Sequence, residues 1–190
     1  MMEPAHPCFR PSRVFVGAGS NLGDRMGCIA EAAHRLQDTA GIRTLRCAPI
    51  YETRPVGPAG PDNFFNTVFA LEVCLSPVQL LAVLQEIEIA LGRSPAPAGA
   101  KAGARIGART IDLDILLYDD LVFQNDALVV PHPFMHQREF VLRPLCDLDA
   151  EQTHPELGLS MRELLAALPP SDQILGVVAG ALPTTYAPRT

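Results

Sequence analysis

The stretch Arg109 to Asp120, RTIDLDILLYDD, decides how the rest of the chain is read. Its apolar residues alternate with acidic ones, the signature of a half-buried β-strand. Successive side chains on a strand point to opposite faces, so Ile111, Leu113 and Ile115 share one face and Asp112 and Asp114 the other. Two rises of about 3.4 Å put the two carboxylates roughly 7 Å apart along the backbone. Carboxylates leaning together from that spacing can hold one or two hard cations, and they repel unless something positive lies between them.

The surroundings supply positive charge. The chain carries a net charge of −6, yet no acidic residue falls between Glu88 and Asp112, where Arg93, Lys101, Arg105 and Arg109 all occur. Most of that interval, RSPAPAGAKAGARIGA at 93–108, is an Ala/Gly/Pro-rich stretch. It reads as a mobile surface loop within one domain rather than a linker, because the strands before it need more cover than two helices give. A cationic loop beside a carboxylate pair suits a polyphosphate with Mg²⁺: carboxylates hold the metal and arginines grip phosphate oxygens. A solvated loop beside a salt-bridged Asp pair is the plain alternative.

The length of 190 residues suits one domain. With 48% hydrophobic and 19% charged residues, the composition is that of an ordinary soluble globular protein. The acidic balance argues against nucleic acid, and no apolar run approaches the roughly 18 residues of a membrane span. Residues 1–12 have no secretory apolar core and read as a loose extension. The five cysteines form no CxxC pair. Cys28, Cys47, Cys74 and Cys146 sit in element-like contexts and read as free thiols, making the cytoplasm the expected compartment.

Along the chain, SRVFVGAGS (12–20) reads as a strand running into a Gly-rich turn, with Val14 and Val16 on one face and Phe15 on the other. Residues 25–39 have helical spacing at Met26, Ile29, Ala33 and Leu36. Residues 42–51 look extended, with Pro49 at an edge or bulge. The Pro/Gly-rich run 54–62 is a loop. FFNTVFALEV (64–73) alternates as a strand. Ser76 and Pro77 open a helix with the stripe Leu80, Leu84, Ile87 and Leu91, which Gly92 ends. After the 109–118 strand come a turn at Asp119–Asp120, an extended run at 127–133 and a helix at 160–168. Beyond Pro169 the pattern is weak. The order β-α-β-β-α-β with short connections gives an α+β domain whose mainly antiparallel sheet is backed by helices.

Two further stretches invite chemistry. GAGSNLGDR (17–25) presents glycines before a helix, but GxxxxGK[ST] is absent and Leu22 breaks GxGxxG; a tight turn with Asn21 or Asp24 capping the helix competes. VPHPFMHQREF (130–140) holds His132 and His136, but its prolines disfavour a helical zinc pair. His132, with Arg138 nearby, reads as a phosphate- or proton-handling group, and His136 equally as a structural one. No serine elbow or Cys–His signature supports covalent catalysis.

Taken together, GSNLGDR, YETRPVGP, NFFNTVFALE, RTIDLDILLYDD and VPHPFMHQREFVLRPL, in that order, resemble the 6-hydroxymethyl-7,8-dihydropterin pyrophosphokinase family over about residues 13–150. The resemblance implies a ferredoxin-like fold for a domain at 13–168, with 169–190 a C-terminal segment. It implies transfer of pyrophosphate from ATP to the hydroxymethyl group of the reduced pterin, releasing AMP, in folate biosynthesis. Asp112 and Asp114 would hold two Mg²⁺ ions and, with Arg93 and Arg109, form the catalytic set. Gln85, Glu88, Arg93, Arg105, Arg109, Ile115, His132 and Arg138 would contact ATP. Thr53, Val56, Phe64, Asn66, Asp112 and Phe140 would line the pterin pocket. The partners implied are these small molecules, without nucleic acid or membrane, for a monomer in the cytoplasm. The chain departs from the family in the length of loop 93–109, in Ile106 where some members have tryptophan, and in Arg54, to which no role is given. A metal-dependent nucleotidyltransferase and a non-catalytic ligand sensor are the rival readings; release of AMP in the presence of ATP, Mg²⁺ and the reduced pterin separates them.

Overall fold

The structure, a computed structural model, describes residues 10–56, 62–93 and 109–182. The start of the N-terminal extension, the centre of the 54–62 loop, the 94–108 stretch with Arg105, and the last eight residues lie outside the described residues.

The main sheet is antiparallel, built from β1 (Ser12–Ser20), β2 (Ile42–Cys47), β3 (Ile50–Thr53), β4 (Phe64–Val73), β5 (Asp112–Tyr118) and, late in the chain, β8 (Ile174–Ala179). Its order is β5-β1-β4-β3-β8, with β2 also paired to β4. The extended run at 42–51 therefore differs from the expected single strand. It breaks at Ala48 and Pro49, β2 pairing with one half of β4 and β3 with the other. Pro49 has no N–H to give a ladder, and the Ala48 N–H bridges the break to the Val68 carbonyl. A small second sheet joins β6 (Phe123–Gln124) to β7 (Val129–Val130).

Helices cover both faces, giving the α+β arrangement expected of a ferredoxin-like fold. On one face, α1 (Arg25–Asp38) and α2 (Pro77–Ala90) bury Ile29, Leu36, Leu80 and Leu84 against Val14, Val16, Phe69, Leu113 and Ile115. Asp24 caps α1, its carboxylate accepting from the Gly27 N–H at 2.9 Å. Ser76 and Gln79 form a reciprocal cap on α2, with Pro77 in the first turn. Gly92, just past that helix, has φ +88°, a left-handed conformation that favours glycine.

On the other face, α3 (Glu139–Asp149) and α4 (Met161–Ala167) bury Val141, Leu142, Leu145, Met161 and Leu164 against Phe15, Val68 and Leu116. Sequence reading assigns no element to 139–149, and α3 forms there with Pro144 inside it. Burial of the apolar stripe outweighs the bond that Pro144 cannot donate. The 169–182 segment, where the pattern is weak, adds β8 as an edge strand along β3. Cys28, Cys47 and Cys146 are free thiols. Cys74, expected free, is disulfide-bonded; it sits just past the end of β4 rather than inside an element. Among the described residues no helix is long and apolar enough to cross a membrane.

Removing residues 169–190 is expected to leave the core folded but to free the Arg54 N–H, which donates to the Gln173 carbonyl at 2.8 Å. Hydrogen exchange at Arg54 should then accelerate while the β1 and β4 amides stay protected; unchanged exchange would show that this strand is not held in the sheet.

Candidate active site

Strand β5 presents its faces as the alternation requires: Leu113 and Ile115 enter the α1/α2 core, while Asp112 and Asp114 line a cavity of about 230 Å³ on the opposite face. The cavity exists because of β1. In the antiparallel register Asp114 lies across from Gly17 and Asp112 across from Gly19, so β1 places no side chain beside either carboxylate. One strand further on, Asn66 of β4 lies across from Gly19. Two interstrand spacings put Asp112 and Asn66 roughly 9.5 Å apart at the backbone, room for a flat bicyclic ring between them. A β-carbon on Gly19 would come within 2.8 Å of the Asn66 side-chain oxygen. Asn66 is oriented from behind by its amide N–H donating to the Thr53 hydroxyl at 2.7 Å.

The structure brings the residues expected at the pterin together in one cavity. Thr53, Val56, Phe64, Asn66, Asp112 and Phe140 all face this cavity, joined by Arg109, Asp114, His132 and Arg138. A smaller cavity of about 50 Å³ on the α2 side holds Gln85 and Ile115. Asp114 and His132 line both cavities, so the two expected substrate sides meet at these residues.

Guanidinium groups relieve the repulsion between the two neighbouring carboxylates. Asp112 accepts from Arg93 on one oxygen, at 2.5 Å, and from Arg109 on the other. Arg93 also donates to Glu88, which is buried at 3% exposure. The same Glu88 oxygen accepts the Leu113 backbone N–H at 2.7 Å, tying α2 to the carboxylate strand. Glu88, expected to contact ATP, lines neither cavity. It acts on Arg93 and on β5.

His132 is 6% exposed. Its Nδ1 accepts the Phe134 N–H at 3.2 Å, which leaves the Nε2–H as a donor. Burial, and then the Arg138 charge, push its pKa down to about 4, so it works as a neutral donor near pH 7. Burial lowers the Arg138 pKa, while Asp114 and Asp112 pull it back up. Its guanidinium lies near the rings of Phe134 and Phe140, at 5.6 and 5.8 Å. His136 takes no part; its ring meets that of His154 edge-on at 6.1 Å.

Sequence reading passed over three contributors. Gly17 and Gly19 belong to β1 and make the cavity floor, where they read as the approach to a turn. Arg54 lines the cavity mouth and pairs with Asp172, joining the C-terminal segment to the rim. No sequence pattern signals that pair, which spans more than a hundred residues.

Residues 15–150 match the family described as 7,8-dihydro-6-hydroxymethylpterin-pyrophosphokinase (HPPK). The chain belongs to that family. It is 38% identical to the 2-amino-4-hydroxy-6-hydroxymethyldihydropteridine pyrophosphokinase of Methylorubrum extorquens, over 84% of this chain and 96% of that protein. It is 40% identical to the Pseudomonas aeruginosa protein of the same name, over 83% and 92%. The folic acid synthesis protein fol1 of Schizosaccharomyces pombe is 39% identical over 82% of this chain, which spans only 20% of that longer protein. A solved HPPK-DHPS structure in complex with substrates shares the fold, with a TM-score of 0.64 at 14% identity over 83% of this chain and 43% of that one. As an HPPK, this chain transfers pyrophosphate from ATP to the hydroxymethyl group of 6-hydroxymethyl-7,8-dihydropterin, releasing AMP, in folate biosynthesis.

Two outcomes follow from this HPPK site. A histidine whose folded pKa is depressed adds stability above its unfolded pKa of about 6.5, and that stability is lost as pH falls toward 4. His132→Gln should flatten the loss of stability between pH 6.5 and 4, followed by urea unfolding; an unaltered pH profile would contradict the buried neutral imidazole. Gly19→Ala should displace Asn66 and raise the pterin KM by about tenfold or more, with ATP affinity little changed. A wild-type pterin KM would show that Asn66 need not sit where the structure puts it.

Proposed function

We propose that Asp112 and Asp114 receive the phosphates of ATP with two Mg²⁺ ions, and that Arg93, Arg109, His132 and Arg138 grip the phosphate oxygens as transfer proceeds. The observation that carries this is the charge balance around β5. Glu88, Asp112 and Asp114 face Arg93, Arg109 and Arg138, three carboxylates against three guanidinium groups. Among the described residues this cluster has no net positive charge with which to accept a triphosphate, which favours a nucleotide whose charge arrives already partly neutralised. Among the described residues no group of three His, Cys, Asp or Glu side chains forms a metal cage. Two carboxylates completed by phosphate oxygens and water are the donor set that suits Mg²⁺. Bound there, the ions would neutralise charge on the β- and γ-phosphate oxygens and polarise the phosphorus under attack.

Each protein group then has a task. The Arg93 and Arg109 guanidiniums exchange Asp112 for phosphate oxygens, a swap between two anions that keeps both cations paired, and Mg²⁺ would take their place on the carboxylate. Glu88 keeps hold of Arg93 during that exchange. The His132 Nε2–H donates to a phosphate oxygen without adding charge. On the pterin side, Asn66 and Thr53 read the amide edge of the ring while Phe64 and Phe140 supply apolar walls that exclude water. Gln85 and Ile115, across the shared Asp114 and His132, take the nucleoside. A single chain lines both cavities, which supports a monomer as the working unit. The cytoplasm, where ATP and a reduced pterin are both held, is the proposed compartment.

Asp112→Ala and Asp114→Ala should each cut turnover more than about a hundredfold, since a metal contact contributes several kcal/mol at the transition state. Sequence reading alone expects such a change to relieve repulsion. The structure reverses that for Asp112, whose loss leaves Arg93 and Arg109 facing each other, so Asp112→Ala should also lower the melting temperature. Near-wild-type turnover in either variant removes the assignment. Arg109→Ala should slow single turnover by about ten- to a hundredfold, more than it weakens ATP binding, with partial recovery in Arg109→Lys. Loss confined to ATP affinity would make Arg109 an anchor only.

A further inference from the structure

The turn between β1 and α1, Ser20 to Arg25, touches neither substrate cavity through Arg25, yet it grips the chain on both sides of the site. On the nucleotide side, Asn21 holds the backbone of Arg109 at both polar groups. The Asn21 N–H donates to the Arg109 carbonyl at 3.1 Å, and the Arg109 N–H donates to the Asn21 Oδ1 at 2.7 Å. The β1–β5 ladder runs only as far as Gly19 and Asp112, so Arg109 lies beyond it. Asn21 continues the pairing where the sheet stops. It is 4% exposed, and a side chain held that tightly fixes where the Arg109 guanidinium starts from.

On the pterin side, Arg25 does the corresponding work. Its guanidinium lies 3.8 Å from the centre of the Phe65 ring, donates to the Asn63 carbonyl at 2.8 Å and pairs with Glu52 at 3.4 Å. Glu52 and Asn63 flank the 54–62 run, and they are the immediate neighbours of Thr53 and Phe64 in the pterin cavity. Asp24, between the two gripping residues, caps α1 and so holds the turn to a rigid helix.

We propose that Asn21 and Arg25 are positioning residues, one setting the Arg109 end of the cationic stretch and the other the ends of the pterin loop. The proposal rests on Arg109 acting in transfer. One six-residue turn thereby fixes the relative placement of the two substrate sides.

The two residues separate by kinetic signature. Asn21→Ala removes the acceptor for a backbone N–H, and should lower kcat by about tenfold or more with pterin KM within about twofold. Asn21→Asp keeps that acceptor and should recover most of the loss. Arg25→Ala should raise pterin KM by about tenfold with a smaller change in kcat, and Arg25→Lys, lacking the planar face on Phe65, should recover little. In an Arg109→Ala background, Asn21→Ala should cause no further loss of kcat. Thermal unfolding of every variant identifies the folded fraction, and Asn21→Ser replaces Asn21→Ala if the alanine variant does not fold. Wild-type kcat in folded Asn21→Ala, or full additivity with Arg109→Ala, overturns the role of Asn21. Equal effects of Arg25→Ala on kcat and KM overturn the role of Arg25. A wild-type rate in Arg109→Ala alone overturns the catalytic reading of Arg109 instead.

Discussion

Asp112 is held by a guanidinium on each of its oxygens, and the rest of the site is arranged around that contact. The carboxylate is mostly buried, with 18% of its side chain exposed, and both arginines are buried to a similar degree. Water can compensate these charges only weakly, so each must keep a partner in every state the enzyme visits. Before substrate arrives the partners are each other. In the proposed function, the phosphates and metal ions of Mg–ATP would offer replacements of opposite sign, and the swap would leave no buried charge alone. Charges that would be costly to bury unpaired would then be available to act on the substrate without first being stripped of water.

The sheet makes this possible by what it omits. Gly17 and Gly19 open a channel across β1, with Asp112 and Asp114 on one side and Asn66 on the other. A strand with ordinary side chains at those positions would fill the cavity. The α1/α2 core beneath packs Val16 and Ala18 with Leu113 and Ile115, so the floor is rigid although its upper face carries little. Glu88 strengthens the same link by joining α2, Arg93 and the β5 backbone through one buried carboxylate.

Much of this was legible in the sequence because strand alternation is a local rule. The period of two in residues 111–115 assigned Asp112 and Asp114 to the face opposite the core, and the Ser76–Pro77 pair marked the start of α2. What was not legible depends on partners distant in sequence. The helix α3, with Pro144 inside it, went unassigned, since its apolar stripe is recognised only against the sheet it covers. The strand at 174–179 depends on β3 for its ladder. Gly17 and Gly19 looked like turn residues until their cross-strand neighbours were known, and the bond from the Leu113 N–H to Glu88 joins two elements that only the fold brings together.

The exchange of partners at Asp112 is tested most directly by calorimetric binding of a non-hydrolysable ATP analogue, with and without Mg²⁺, to the wild-type chain and to Asp112→Ala. Wild-type binding is expected to depend strongly on Mg²⁺. Asp112→Ala, with Arg93 and Arg109 released from the carboxylate, is expected to bind the metal-free analogue more tightly than wild type and to gain less from Mg²⁺. Metal-free binding by Asp112→Ala that is no tighter than wild type, with the same gain from Mg²⁺, would contradict that exchange.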